Sequence, residues 1–215
     1  MCAKKEDRKI DNVVEYQRRV MEGKPKYCPE RKLLLKFLKG RILDIGCNYG
    51  DFHKFVTERG KEVDGEVYGL DIQVTNYREN MVKGDAHFLP FKDESFDSVF
   101  AGEIIEHLHN PTMFLREIER VLKKGGIAII TTPNIHSLVY IRKSLLGKNP
   151  SLEHSGHIYA WDLILFKRLI RSTTKMKIIE CGFADPEGIN KIAILIHRIN
   201  PKLSWFLYVV LEKGL

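Results

Sequence analysis

Apolar and polar residues alternate along the middle of the chain in a pattern that predicts strands and helices in turn. Four apolar runs of strand length are expected to be buried on both faces. They cover residues 41–45, 67–72, 96–101 and 127–131. Helical spacing lies around 52–58 and over 112–122, and Gly125 and Gly126 are expected to end the second helix. Strands of this kind separated by helices are typical of a parallel sheet covered by helices.

The two ends of the chain lie outside this alternation. Residues 1–40 predict an N-terminal helical segment, in which two stretches of apolar residues recur at helical spacing, the second over Leu33–Leu38. At the other end, Lys177–Cys181 and Phe206–Glu212 predict two more strands, while 192–196 fits either a strand or a helix.

A segment over 134–175 interrupts the alternation directly after the fourth strand. It predicts a helix at Ser137–Leu146, a polar loop at Gly147–Gly156 and an amphipathic helix near Trp161–Thr173. Ligands of open α/β sheets bind beyond the carboxyl ends of the strands. We therefore expect 134–175 to be a small cap over an acceptor pocket.

Length and composition place the chain among ordinary globular proteins. Its 215 residues predict a single domain over 1–215, and a hydrophobic content of 44% excludes disorder. The longest apolar stretches, such as Trp205–Leu211, are too short to span a bilayer. The charged first residues do not resemble a signal peptide, and four scattered cysteines predict reduced thiols. Together these features predict a cytoplasmic protein.

The formal charge of +7 is distributed unevenly. Residues 1–41 carry 13 Lys and Arg against 6 Asp and Glu, and residues 139–177 carry 8 against 2. Residues 42–138, by contrast, carry 10 against 16. Solvated helix faces explain the two basic segments as well as an anionic partner does, so both interpretations stay open.

A glycine-rich turn follows the first predicted strand, in Asp44-Ile-Gly46-Cys-Asn48-Tyr-Gly50. Glycines there let backbone N–H groups approach a ligand, as in nucleotide-binding turns. Asp71 ends the second strand about 20 residues further on, where a ribose-binding carboxylate is expected. Asp44 is poorly suited to a neighbouring phosphate, so the ligand is not expected to be a polyanion. Taken singly, each residue is also explained as a turn glycine or a solvated acid.

In combination, these residues resemble the class I S-adenosylmethionine-dependent methyltransferases over roughly residues 41–215. Six runs, in this order, carry the resemblance: Ile42–Gly50, Gly69–Ile72, Gly84–Ala86, Leu89–Asp97, Glu103–Leu108 and Leu122–Gly126. Their order is similar to that of the subgroup that acts on small molecules and RNA. The resemblance implies an α/β, Rossmann-like fold with a mostly parallel seven-stranded sheet, helices on both faces and a small helical cap.

The resemblance also implies which residues bind S-adenosylmethionine. They are Asp44, Gly46, Asn48, Gly50, Asp71, Ile72, Asp85, Ala86 and Glu103. The glycine-rich turn would line the methionine moiety, Asp44 would receive its ammonium group, and Asp71 would accept the ribose hydroxyls. Ile72 would pack on the adenine and Asp85 would accept its amino group. Asn48 stands where the family usually has glycine, and Asn tolerates left-handed backbone geometry well.

The candidate catalytic residues lie in Glu103-Ile-Ile-Glu106-His107. If this run is an α-helix, Glu103, Glu106 and His107 share one face and are candidate ligands of a divalent ion. Similar Glu-x-x-Glu-His runs occur in the ubiquinone-pathway O-methyltransferases and the small-RNA terminal 2′-O-methyltransferases. By that similarity His157, rather than His154, is the fourth ligand. A histidine that shapes the pocket or acts as a lone base is the alternative.

The motifs together predict an S-adenosylmethionine-dependent methyltransferase. We expect it to be O-directed on a small molecule, with Glu106, His107 and His157 as its catalytic residues. The uneven charge favours an anionic acceptor, which would meet Arg142, Lys143 and Lys148. An RNA methyltransferase is the alternative, and a catalytically silent protein that binds the cofactor or a partner is another. Thr131–Asn134 is interpreted as a turn that ends a strand rather than as a substrate contact.

Overall fold

The computed structural model describes residues 33–47, 52–73, 80–148, 156–184, 195 and 198–215. Seven strands in these residues form one sheet with the order β3-β2-β1-β4-β5-β7-β6. They are β1 Ile42–Ile45, β2 Val67–Asp71, β3 Met81–Lys83, β4 Phe96–Gly102, β5 Leu122–Pro133, β6 Lys177–Ala184 and β7 Phe206–Glu212. Neighbouring strands are parallel except that β7 is antiparallel to both β5 and β6. The predicted Rossmann-like, mostly parallel seven-stranded sheet is thereby confirmed.

Helices pack on both faces of this sheet. The α-helices of the described residues are α1 His53–Glu62, α2 Pro111–Val121, α3 Leu138–Leu145 and α4 Leu163–Thr173. Successive residues of a strand point to opposite faces, so β4 buries Val99 on one face and Phe100 on the other. The Val99 face packs against α2 and α4, and the Phe100 face packs against α1 and the turn at Leu35–Phe37.

The helix predicted over Leu33–Leu38 ends early. The chain tightens into a 3-10 turn at Leu35–Phe37 and is already extended at Leu38. Leu34, Leu35 and Leu38 are all buried, so the apolar spacing reflects burial against the sheet more than helix length. The rest of the N-terminal segment, through residue 32, lies outside the described residues, as do 192–194 and 196.

The prediction for the end of α2 is wrong in one respect. The helix stops at Val121, and Leu122 is already extended and pairs with Phe96 of β4. Gly125, with φ +70°, and Gly126 therefore belong to β5, where the pairing with β4 is irregular. A Cβ on Gly126 would come within 2.8 Å of the Lys123 carbonyl oxygen. These glycines permit an irregular strand rather than ending a helix.

Three further differences concern strands and loops. The three-residue strand β3 is absent from the sequence prediction, because so short a run has no recognisable alternation. Strand β6 continues past Cys181 to Ala184 because its pairing with β7 continues. In the cap, α3 and α4 lie where helices were expected, whereas 149–155 of its polar loop lie outside the described residues. The described chain has no helix that is long and apolar enough to cross a membrane.

Asn134 joins three parts of the chain at the end of β5. It is fully buried, and its backbone N–H donates to the Trp205 carbonyl oxygen at 2.8 Å. Its side-chain amide donates to the carbonyl oxygens of Lys202 and Ser204, both at 2.8 Å. It also forms a parallel bridge with Trp161. The strand end is thus anchored to Trp161 and to the turn before β7, and Thr131, Thr132 and Pro133 are the last residues of β5 rather than a turn.

We expect Asn134→Ala to lower the free energy of unfolding by about 2–4 kcal/mol, because one buried and one partly buried carbonyl oxygen would lose their donor. Asn200→Ala is the matched control, since this exposed side chain accepts one hydrogen bond from the Lys202 backbone. Its expected cost is about 1 kcal/mol or less. Urea denaturation of both variants measures the difference. Equal shifts of the unfolding midpoint would contradict the anchoring role of Asn134.

Candidate functional site

The predicted site residues gather at one edge of the sheet. Because β1 to β5 are parallel to one another, their carboxyl ends meet at the same edge. In register, Ile45 of β1 pairs with Leu70 and Ala101, and Gly102 of β4 pairs with Thr131. The acids named by the sequence lie in the last residues of these strands or just after them.

The turn after β1 requires glycine at its first position. Gly46 has φ +74°, and its N–H donates to the Leu70 carbonyl oxygen at 2.8 Å. A Cβ at this position would meet Ile104 at 3.0 Å. Both the left-handed backbone and the close approach exclude a larger residue. Asn48 and Gly50 lie outside the described residues, and their predicted contacts stay predictions.

Asp44 has a histidine partner that the sequence motifs do not name. Its carboxylate is buried, and Oδ2 lies 2.8 Å from Nδ1 of His53 at the start of α1. A neighbouring thiol, Cys47, is also buried, and its pKa is raised by burial and by the negative charges of Asp44 and Asp71. The thiol is therefore protonated and unreactive at neutral pH.

Asp71 and Ile72 lie together at the end of β2. One oxygen of Asp71 accepts a hydrogen bond from the Gln73 backbone N–H at 2.9 Å, which fixes the carboxylate against its own turn. The side chain of Ile72 is 62% exposed. An exposed apolar side chain next to a fixed carboxylate suits a ligand with a flat base beside a sugar.

The third acid, Asp85, follows β3. Its Oδ1 accepts hydrogen bonds from the backbone N–H of His87 at 2.8 Å and lies 2.7 Å from the ring Nδ1 of the same residue. The pKa of Asp85 lies below its ordinary value, chiefly because of that backbone N–H. Ala86 is buried beside it. Neither His87 nor His53 belongs to a motif. His87 stands two positions from Asp85 and His53 nine positions from Asp44, but no sequence pattern marks either histidine as the partner of its carboxylate.

Glu103 does not share a helical face with Glu106 and His107, so that expectation is wrong. Glu103 has φ +55°, and the run continues as a 3-10 turn at Ile105–His107 instead of an α-helix. Its carboxylate accepts a hydrogen bond from the Thr131 hydroxyl at 3.0 Å, and its N–H donates to the Thr131 carbonyl oxygen at 3.0 Å. The left-handed backbone turns this side chain toward the end of β5.

Glu106, His107 and His157 come together without Glu103. One ligand atom from each of the three side chains lies within 4.8 Å of the others, and Glu103 is not part of this group in the described chain. The two imidazole rings pack edge to face, with centroids 4.6 Å apart. Glu106 is buried, and its Oε2 accepts a hydrogen bond from the Thr132 hydroxyl at 2.9 Å.

The cap contacts this group through its backbone. The N–H groups of Ile158 and Tyr159 donate to the Glu106 carbonyl oxygen at 2.8 and 3.1 Å. The Gly156 carbonyl oxygen lies 2.9 Å from Nδ1 of His107, and a Cβ on Gly156 would come within 3.0 Å of that nitrogen. Residues 156–159 therefore lie directly against the group.

The bond to Gly156 determines the state of His107. A carbonyl oxygen only accepts, so Nδ1 carries the proton and Nε2 of the neutral ring keeps a lone pair. Although part of the ring is exposed, neighbouring atoms remove enough of its hydration to lower its pKa. The hydrogen bond to Gly156 opposes this effect without cancelling it. His107 is therefore a neutral base at neutral pH.

Known proteins share both the sequence and the architecture of this edge. Residues 43–130 match the family described as a methyltransferase domain. The mitochondrial ubiquinone biosynthesis O-methyltransferase of Rattus norvegicus is 31% identical over 119 residues, which cover 47% of this chain and 33% of that protein. The chain spans about half the length of the first curated relatives it matches.

Solved structures share the fold. A chain in the complex between the Haloferax volcanii Trm112 methyltransferase activator and a methyltransferase superposes with a TM-score of 0.67 at 16% identity, covering 95% of this chain and 96% of that one. A SAM-dependent methyltransferase from Archaeoglobus fulgidus gives a TM-score of 0.61 at 20% identity, covering 86% of this chain and 90% of that one. The expected class I fold is confirmed.

Proposed function

Because residues 43–130 match the family described as a methyltransferase domain, we propose that this protein transfers a methyl group from S-adenosylmethionine to an oxygen of a small acceptor. The observation that supports this most is the set of carboxylates at successive strand ends. Asp44 lies one residue before the end of β1, Asp71 ends β2 and Asp85 follows β3, all toward the edge where ligands of such sheets bind. A cationic sulfonium compound with an ammonium group, a ribose and an adenine suits that set.

We expect Asp71→Asn to weaken the binding of S-adenosylhomocysteine by about ten- to hundredfold, because hydrogen bonds to a charged carboxylate contribute about 1.5–3 kcal/mol. Isothermal titration calorimetry measures the dissociation constant. Glu58→Gln, an exposed carboxylate on α1, is the control and should bind as the wild type does. A wild-type chain that binds neither this compound nor S-adenosylmethionine would contradict the proposal. Binding without any methyl transfer would favour the catalytically silent alternative.

On the acceptor side, His107 is the residue we assign as general base. Its Nε2 keeps a lone pair while Nδ1 is held by Gly156. In the reaction, the acceptor oxygen attacks the methyl carbon and the carbon–sulfur bond breaks in line. The hydroxyl proton passes to Nε2, which leaves the methylated product, S-adenosylhomocysteine and an imidazolium. Glu106 and His157 face this imidazole, and the buried carboxylate of Glu106 would stabilise its charged form.

The pH dependence of kcat/KM tests this role. Because a base must be unprotonated and the pKa of His107 is lowered from its ordinary value of 6.5, kcat/KM should be level above about pH 6.5 and fall only at more acidic pH. His107→Gln should reduce kcat by roughly 10²–10⁴-fold and remove the acid limb. His136→Gln, an exposed histidine, should leave the profile unchanged. An unaltered acid limb in His107→Gln would exclude His107 as the base.

A divalent ion is the second candidate use of the same side chains. One carboxylate and two imidazoles within 4.8 Å are a donor set that suits transition metals, and a histidine anchored through Nδ1 to a carbonyl is typical of metal ligands. If bound, the ion would be held by Glu106, His107 and His157, and it would supply Lewis acidity at the acceptor hydroxyl. Activity that EDTA abolishes and an added divalent ion restores would favour this candidate over the lone base.

The acceptor is proposed to be anionic. Arg142, Lys143 and Lys148 are at the end of α3 and just beyond it, within the cap. Positive charge near the entrance of a site raises the local concentration of an anionic substrate. RNA is the rival acceptor, and the steep salt dependence that phosphate contacts cause would identify it.

Replacing Arg142, Lys143 and Lys148 together with Gln should raise the KM for the acceptor roughly three- to tenfold and leave kcat unchanged. The matched control is Arg171, Lys175 and Lys177, also replaced with Gln. These belong to the same basic segment, but Lys177 begins β6 at the opposite edge of the sheet. Steady-state kinetics at low ionic strength measure both variants. Equal KM values would mean that the charge of the cap does not select the acceptor.

A further inference from the structure

His87 links the third acid of the candidate site to helix α2. Its Nδ1 lies 2.7 Å from Asp85 Oδ1, and on the other side of the ring the backbone N–H of Asn110 donates to Nε2 at 3.2 Å. The side chain is only 14% exposed, whereas that of Asp85 is 47% exposed. Asn110 caps the start of α2. The imidazole therefore lies between a half-exposed carboxylate and a fixed helix end.

These contacts determine the tautomer of His87. A backbone N–H only donates, so Nε2 must be the unprotonated nitrogen. Nδ1 then carries the proton and donates it to Asp85 Oδ1. If Nε2 also carried a proton, its N–H would face the backbone N–H of Asn110, and two donors would meet at an N–N distance of 3.2 Å. The arrangement thus gives Asp85 Oδ1 a second hydrogen-bond donor beside the backbone N–H of His87.

The loop that carries His87 is held against α2 at a second place. Arg120 donates to the carbonyl oxygens of Leu89 at 2.9 Å and Phe91 at 2.8 Å. Glu117 accepts from the Leu89 N–H at 2.8 Å and is itself paired with Arg120 at 2.7 Å. With the start of α2 bonded to His87 and its last turns bonded to residues 89–91, the loop has little freedom to reorient Asp85.

We propose that His87 is a positioning residue that makes Asp85 selective for the amino group of adenine. Both bonds from His87 use Oδ1 of Asp85, so Oδ2 is the oxygen assigned to the adenine. An ionised carboxylate only accepts hydrogen bonds, so a base without the amino donor loses this contact. The inference rests on the proposed use of S-adenosylmethionine and adds a residue that the cofactor motifs do not contain.

The test compares two ligands in each variant. S-adenosylhomocysteine and its 6-desamino analogue, in which hydrogen replaces the adenine amino group, are titrated calorimetrically into the full chain. The wild type should prefer the natural ligand by about tenfold or more. His87→Ala should reduce that ratio to within about threefold of unity, as should Asp85→Asn. His87→Asn keeps a side-chain amide near the position of Nδ1 and should restore most of the preference.

The ratio separates positioning from general stability, because unfolding or loosening affects both ligands alike. His109→Ala, an exposed histidine two residues from the start of α2, is the control and should keep the wild-type ratio. A wild-type ratio in His87→Ala would overturn the role of His87. If the alanine variant does not fold, the same ratio in His87→Leu, which keeps side-chain bulk without a donor, would do so. A wild-type chain that binds neither ligand would overturn the proposed function instead.

Discussion

Strand β1 is hydrogen-bonded on both sides, to β2 and to β4, and all four of its residues are buried. The register of β1 fixes the position of Asp44 along the strand direction relative to Asp71 and Glu103. A slip of one residue would turn every side chain of β1 to the other face and move the glycine turn away from Leu70. The distances between the acids of the candidate site are therefore determined first by strand pairing in the sheet and only then by the loops.

Three of the acids at this edge are held by hydrogen bonds from hydroxyl or backbone N–H groups, which carry no charge. Hydroxyls of Thr131 and Thr132 hold Glu103 and Glu106, and a backbone N–H holds Asp71. At the amino end of the sheet, by contrast, Asp97 is paired with Lys123 at 2.8 Å, and its pKa falls although burial alone would raise it. Neutral donors fix a carboxylate without cancelling its charge, which a cationic ligand requires.

The sequence predicts the parts of this molecule that repeat a pattern. The bounds of Phe206–Glu212 coincide with β7, and residues 41–45 contain β1, because buried strands leave continuous apolar runs. Three-residue β3 leaves none. The prediction that Glu103 shares a helical face with Glu106 is wrong because Glu103 has a left-handed φ. Its bonds to Thr131, which lies 28 positions away, hold it in that conformation. His53 and His87 are much nearer in sequence to their carboxylates, at nine and two positions, but no motif identifies a histidine as the partner of an acid.

The cap leaves the sheet at Asn134 and returns at Trp161, and these two residues are bridged to each other. The Ile135 N–H also donates to the Trp161 carbonyl oxygen at 3.1 Å. The two ends of the segment 135–160 are therefore joined at its base. Because they are joined, a change in the length of this segment costs little entropy in the rest of the fold. A segment of different length could therefore follow β5 without any change in the sheet.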